Sequence, residues 1–188
     1  FVNSTTMFKS CILRELKGYR EYAPAEDYDL FLRIAEKNMV VNINHFLVKY
    51  RIHSYNISKL KAEEKLNAER KIISDTYNRL ALQPNDYILN VHFNLFSFQY
   101  QKNSFEDFLN LLITLKTNNI KNRQFPITAF ENFLFDKWHE IIYRRRAGKN
   151  TLRLYFNKEL FCWSFVTFKQ LRRMFKRSIS ALNFLDNI

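Results

Sequence analysis

The sequence predicts an α+β chain in which a short first part with strands and helices precedes a longer, mostly helical part. Strand-forming residues are concentrated in two short segments, MVVNIN and FLVKYRIH, between residues 39 and 53. From residue 58 onward, apolar residues recur almost continuously at the three-and-four spacing of helices. A hydrophobic content of 47% argues against disorder. We therefore predict a boundary near residue 56, between a mixed domain over 1–56 and a helical region over 57–188.

The predicted elements start with a short strand or turn that leads into a helix around FKSCILREL, and Gly18 ends that helix. A second helix is predicted over 25–37, because its apolar residues form one stripe. That stripe consists of Leu30, Phe31, Ile34 and Ala35. The two strand segments follow. The later helices are predicted up to the turn at Pro84, then over 86–102, 104–118 and 127–146, with one or two more over 151–185.

The composition excludes several classes of site. Gly18 and Gly148 are the only glycines, so neither a P-loop nor a Gly-x-Gly-x-x-Gly dinucleotide loop can be written. Cys11 and Cys162 stand alone, which excludes a zinc site of ordinary spacing and implies no disulfide framework. No apolar run reaches the ~18 residues of a membrane span. The opening FVNSTTMFKS does not look like a natural beginning, and we expect the chain to be a piece of a longer protein.

The net charge of +12 lies mainly at the C-terminal end, where residues 144–188 carry eleven basic and two acidic side chains. On a helical projection of SFVTFKQLRRMFKRSISALNFL the basic residues occupy the arc opposite the apolar one. The basic arc consists of Lys169, Arg172, Arg173, Lys176 and Arg177, and the apolar arc of Phe168, Leu171, Phe175, Ile179 and Leu182.

Two interpretations of this amphipathic helix remain open. A basic amphipathic helix suits an anionic membrane surface or a partner protein. Alternatively, the apolar arc packs on neighbouring helices and the basic arc is only solvated. Nucleic acid is a less favoured partner, because YRRRAGKNTLRLYF mixes arginines with aromatic residues but has no accompanying nucleic-acid-binding motif.

Acidic residues at the start of the second helix raise a chemical question. Projecting the apolar stripe back one turn lands on Asp27, and a carboxylate there is costly unless it is partnered or faces a wet pocket. The alternative is an ordinary first-turn acid stabilised by the helix dipole. Glu26 and Asp29 project toward the flank of Arg33, where a surface ion pair with Asp29 is expected.

The first 58 residues resemble the C-terminal half of the catalytic domain of family 2, GT-A-type inverting glycosyltransferases. The landmarks occur in the family's order. They are a Ser/Thr-x-Met-Phe strand, Gly-Tyr-Arg at 18–20, Ala-Glu-Asp-Tyr-Asp-Leu at 25–30, Arg33, and Leu-x-x-Tyr-Arg-x-His at 47–53. This resemblance implies a partial GT-A α/β segment. It also implies an enzyme that transfers a sugar from a nucleotide-diphosphate sugar to a saccharide or lipid-linked acceptor, in surface polysaccharide synthesis.

The resemblance also implies roles for individual residues. Asp27 would be the general base, and Glu26 would position the acceptor or simply be solvated. Gly18 would be the loop glycine at the donor sugar, although a glycine that ends a helix explains it equally well. Arg51 would hold the diphosphate, and His53 would face a bridging Mn²⁺ or Mg²⁺, with an exposed strand arginine and a surface histidine as the alternatives.

The family's nucleotide-binding half, which carries the metal-binding Asp-x-Asp, is missing from the chain. We therefore expect this fragment to transfer no sugar by itself and to bind no cation, and we expect the cation only in a full-length enzyme. The expected location is the cytoplasm, peripherally on the inner face of the membrane. The rival interpretation is a non-catalytic helical module that docks on a membrane or a partner.

Overall fold

The computed structural model describes residues 3–51, 53 and 60–185, with side chains omitted at 149 and from 180 onward. Eight α-helices run through the described residues, with short 3₁₀ turns at Asn3–Thr5, Tyr100–Lys102, Gly148–Asn150 and Trp163–Phe165. The helices are α1 Ser10–Glu15, α2 Glu26–Lys37, α3 Ala62–Arg79, α4 Asp86–Phe96, α5 Phe105–Asn122, α6 Ile127–Arg145, α7 Thr151–Tyr155 and α8 Phe168–Leu185.

The predicted α+β class is wrong, because the described residues contain helices and no strand. The described residues of both predicted strand segments form no strand, so Arg51 and His53 do not share a strand face. The physical reason is that β propensity expresses packing and pairing with a neighbouring strand. No such neighbour occurs among the described residues. A partial GT-A segment would require a sheet, and the described residues among the first 58 form none.

The helical predictions after residue 58 are confirmed with shifted ends, and the last predicted stretch is two helices joined by a loop. The chain folds as two compact units, residues 1–79 and 80–188. The predicted boundary near residue 56 lies outside the described residues and stays a prediction. No helix in the described part of the chain has the length and apolarity needed to cross a bilayer.

The first unit has a small core between α2 and α3. Leu30 and Ile34 of α2 are buried, as are Ile73 and Tyr77 of α3. Polar contacts join the same elements, since Arg79 donates to Glu36 at 2.6 Å. The periodic apolar residues therefore select the buried faces, as expected for amphipathic helices.

The second unit has a larger core built on α5, α6 and α7. The fully buried side chains of this core include Phe108, Leu112, Leu134, Trp138 and Tyr155. Trp138 also donates its indole N–H to the carbonyl of Leu154 at 2.8 Å, which ties α6 to the end of α7. α5 starts with a reciprocal capping box between Ser104 and Asp107.

Candidate functional site

The buried carboxylate at the start of α2 is that of Asp29 rather than Asp27. Asp29 Oδ2 accepts hydrogen bonds from Arg33 Nε at 2.8 Å and from Arg20 Nε at 3.0 Å, and Oδ1 accepts from Arg20 Nη2. The expected pairing of Asp29 with Arg33 is confirmed, but it lies in the interior and includes a second arginine. A buried carboxylate requires such partners, because it has lost its water.

Arg33 extends this cluster to the end of α1. Its Nη1 donates to the carbonyl of Leu16 at 2.8 Å and its Nη2 to that of Gly18 at 2.7 Å. These carbonyls have no partner within the helix, so the guanidinium satisfies them. The Asp29 hydrogen bond and charge in turn raise the pKa of Arg20. The arrangement fixes the chain between α1 and α2, which is a structural role.

Asp27 and Glu26 are half-buried. Asp27 Oδ1 accepts from the backbone N–H of Tyr28 at 2.8 Å, while Glu26 Oε2 is buried without a hydrogen bond. Asp27 and Asp29 have Asp-x-Asp spacing, but side chains two positions apart on a helix are rotated by about 200° and point to nearly opposite sides. Asp29 is also already neutralised by two arginines, so the pair does not converge on one cation.

Of the other residues implied by the resemblance, Gly18 joins the Asp29 cluster through its carbonyl, which accepts from Arg33. Gly18 has φ +69° and its N–H reaches the carbonyl of Leu13 at 2.9 Å, which closes α1 as a helix C-terminal motif. Arg51 and His53 are exposed. The described residues include no group of three or more His, Cys, Asp or Glu side chains that could hold a metal ion. Sugar transfer and its Mn²⁺ or Mg²⁺ stay predictions that the structure does not test.

The C-terminal helix α8 presents an unusual surface. Its side toward the second unit carries Met174 and Ser178, which are buried. Three large apolar residues of the predicted apolar arc point to solvent instead. The exposed fractions are 82% for Phe168, 43% for Phe175 and 55% for Ile179. The side chain of Leu182 lies outside the described part of the chain.

The basic arc of α8 lies beside this exposed apolar row. At 100° per residue, Phe175, Phe168 and Ile179 fall within about 40° of arc. Arg172, Lys176, Lys169 and Arg173 continue the same exposed surface through the next ~120°. We call the surface formed by Phe168, Phe175, Ile179, Lys169, Arg172 and Lys176 the α8 surface. No acidic residue occurs in Phe168–Leu185 to neutralise it.

Two further arginines of α8 lie against α6. Arg177 Cζ is 3.9 Å and Arg173 Cζ 5.4 Å from the centre of the Tyr143 ring. A hydrogen bond from Arg177, together with the charges of Arg177, Arg173 and Lys176, lowers the pKa of the Tyr143 hydroxyl. Gln170 donates to Asp136 at 2.7 Å and holds the first turn of α8 on the same helix.

Sequence reasoning missed Arg20 and Tyr143 as members of these two clusters. Tyr143 gave no signal, because its partners lie more than one helix away in sequence. Arg20 belonged to a motif that we associated with a donor sugar. The i,i+4 spacing of Asp29 and Arg33 was the one local signal for the buried cluster.

No known protein family, no curated protein sequence and no solved structure matches the chain. Together with a described fold that lacks strands, this finding corrects the resemblance to GT-A glycosyltransferases. The family assignment drawn from residues 1–58 is therefore wrong.

Proposed function

We propose that the chain docks on an anionic membrane surface through the α8 surface. The observation that supports the proposal is the exposure of Phe168, Phe175 and Ile179 beside a basic row. Had this apolar row been part of the core, it would lie against α6 and α7, where Met174 and Ser178 lie instead. A helix with an apolar row and adjacent cations suits the boundary between headgroups and acyl chains.

The free energies that single side chains of the α8 surface contribute to membrane binding favour reversible binding. Each Lys or Arg close to an anionic leaflet contributes roughly 1 kcal/mol, and each large apolar side chain fully transferred from water contributes roughly 1.5–3 kcal/mol. Lys169, Arg172 and Lys176 therefore supply about 3 kcal/mol. Trp163, 69% exposed in the turn before α8, adds an amphipathic ring of the kind enriched at membrane interfaces. We infer a peripheral position on the cytoplasmic face, where anionic lipids are concentrated.

Vesicle co-sedimentation tests the proposal. The wild-type chain should sediment with phosphatidylcholine vesicles that contain phosphatidylserine, and not with pure phosphatidylcholine. Raising the salt from about 0.1 M to about 1 M shortens the Debye length from about 10 Å to about 3 Å and should release the protein. Lys169→Gln/Arg172→Gln/Lys176→Gln should weaken binding about a hundredfold, since about 3 kcal/mol is lost.

A matched control removes three cations elsewhere in the same unit. Lys102, Lys121 and Arg123 are exposed and lie outside α8. Replacing all three with Gln lowers the net charge equally and should leave vesicle binding within about threefold of wild type. If the control variant loses as much binding as the α8 variant, net charge rather than the α8 surface is responsible. A wild type that never sediments refutes docking altogether.

A further inference from the structure

Arg173, Arg177 and Tyr143 form a compact cationic cluster beside the α8 surface. The two arginines are four residues apart on α8, so their Cβ atoms are about 5–6 Å apart on one side of the helix. Both guanidinium groups lie near the same aromatic ring, at 3.9 Å and 5.4 Å from its centre. The two positive charges are thus held close together by packing on α6.

Within the described part of the chain, no carboxylate forms an ion pair with either arginine of this cluster. Among the described ion pairs, none involves Arg173 or Arg177. Asp136 of α6 accepts a hydrogen bond from the amide of Gln170. Like charges at i,i+4 destabilise a helix, and an anion bound between them would offset that repulsion. The arrangement therefore favours an added anion.

The geometry identifies the class of anion. A guanidinium is a planar fork that can donate two parallel hydrogen bonds to a phosphate, and the Tyr143 ring limits the motion of both forks. A phosphate monoester carries about −1.5 to −2 charges at neutral pH and three terminal oxygens, whereas a phosphodiester carries a single charge. Two guanidinium groups with a neighbouring Lys176 match the monoester better.

We propose that Arg173, Arg177 and Tyr143 form a binding site for a phosphate monoester group carried by a lipid headgroup. This inference rests on the membrane docking proposed above and adds a headgroup preference to it. On the helical projection Arg173 follows Lys169, at the basic edge of the α8 surface, by about 40°. Arg177 lies about 40° further on, so the cluster adjoins the edge of that surface where headgroups rather than acyl chains would lie. A free phosphate ester is the other source of the same chemistry.

The test compares lipids at equal surface charge. Vesicles containing phosphatidic acid, a monoester, are matched in zeta potential with vesicles containing phosphatidylserine, a diester. We expect about tenfold tighter binding to phosphatidic acid, which corresponds to about 1.4 kcal/mol. Arg173→Lys/Arg177→Lys retains both charges but removes the planar forks. This variant should bind both vesicles alike, at the level of wild type on phosphatidylserine.

Two controls keep the result interpretable. Thermal melts and circular dichroism of the double-lysine variant establish that α8 still folds. Tyr143→Phe keeps the ring that carries both guanidinium groups and removes the hydroxyl, so it should retain most of the preference. If the double-lysine variant retains the full preference for phosphatidic acid, the arginine forks do not form the site.

A titration with a soluble phosphate ester distinguishes the two sources of phosphate. Glycerol 3-phosphate, the headgroup of phosphatidic acid without its chains, is titrated into the wild-type protein by calorimetry. Weak binding that Arg173→Lys/Arg177→Lys removes, together with tight vesicle binding, supports the lipid. Binding of glycerol 3-phosphate without any vesicle binding supports the phosphate site but refutes the lipid source and the membrane proposal. Equal binding to both vesicles with no effect of glycerol 3-phosphate overturns the site and leaves membrane docking intact.

Discussion

At the scale of single residues, the environment of Asp29 differs from that of a surface acid, because this carboxylate is buried. It accepts from two arginines, and Arg33 in turn donates to two carbonyls at the end of α1. Removing one partner of a buried ion pair leaves the other charges without compensation, and this costs more than the pair itself contributes. Asp27, two positions earlier, is half-buried with a hydrogen bond to its own neighbour.

These environments predict opposite results for two neighbouring substitutions. Asp29→Asn should lower the free energy of unfolding of the first unit by about 3–5 kcal/mol, because Arg33 and Arg20 lose their counter-charge. Asp27→Asn, the matched control, should cost less than about 1 kcal/mol. Urea unfolding followed by circular dichroism measures both. Equal losses for the two variants would contradict the assignment of the buried carboxylate.

Trp163 provides a spectroscopic test at the same scale. It is 69% exposed, while Trp138 is fully buried. If the α8 surface enters the headgroup region, Trp163 moves from water to a less polar environment and its emission should shift to shorter wavelength on adding phosphatidylserine vesicles. Trp163→Phe should abolish this shift, since Trp138 stays in the core. An unchanged wild-type spectrum in the presence of sedimenting vesicles would place Trp163 away from the lipid.

At the scale of elements, α8 shows how a helix can have two apolar faces with different roles. Met174 faces the second unit and is fully buried, while Phe175, the next residue, is part of the exposed row. Successive residues on a helix lie 100° apart, so adjacent positions sample different surroundings. The helical projection of the sequence grouped the apolar residues but could not tell which neighbours cover them.

Adjacent substitutions in α8 separate packing from docking. Met174→Ala should lower the free energy of unfolding by about 2–5 kcal/mol, because it leaves a cavity in the core. Phe175→Ala should cost less than about 1.5 kcal/mol, since much of the ring already lies in water, and it should weaken vesicle binding. Chemical denaturation and vesicle co-sedimentation of both variants make the comparison. A Phe175→Ala variant that binds vesicles as tightly as wild type would remove this residue from the proposed contact.

The segments over 39–44 and 46–51 show that local β propensity does not by itself produce a strand. Their β-branched and aromatic residues predicted strands, yet the described residues there form none, and Met39, Val41 and Phe46 are exposed. A helix satisfies its own backbone hydrogen bonds, whereas a strand requires a second strand to do so. Local propensity is therefore sufficient to locate helices and insufficient to establish a sheet.

At the scale of the whole molecule, the half-buried His92 and the buried His139 make the stability of the second unit depend on pH. Burial lowers the pKa of His92 to about 4, and burial also lowers the pKa of His139. The ring of His139 contacts those of Tyr143 and Tyr155, with centroid distances of 6.1 Å and 6.0 Å. Both imidazoles are therefore neutral in the folded unit at neutral pH.

The stability of the second unit should consequently fall in mild acid. In the unfolded chain a histidine takes up its proton near pH 6.5, while the folded unit resists protonation until the pH approaches the lower value. The contribution of the neutral His92 to the free energy of unfolding is fully present above pH 6.5 and is lost as the pH falls toward 4. The loss amounts to up to about 3 kcal/mol. The measurement is urea unfolding between pH 7.5 and pH 4.5. His92→Phe should flatten the profile, and an unchanged slope in that variant would rule out this origin.

The sequence by itself determined which stretches are helical, that the positive charge concentrates after residue 144, and that Asp29 and Arg33 form a pair. Each depends on neighbours within about one helical turn or on composition, so local rules suffice. Tertiary structure alone decided that the described residues of the strand-prone segments form no strand, that Arg20 joins Asp29, and that Tyr143 packs against two arginines of α8. These outcomes depend on which elements meet in space, and the local sequence around each residue does not indicate its distant partner.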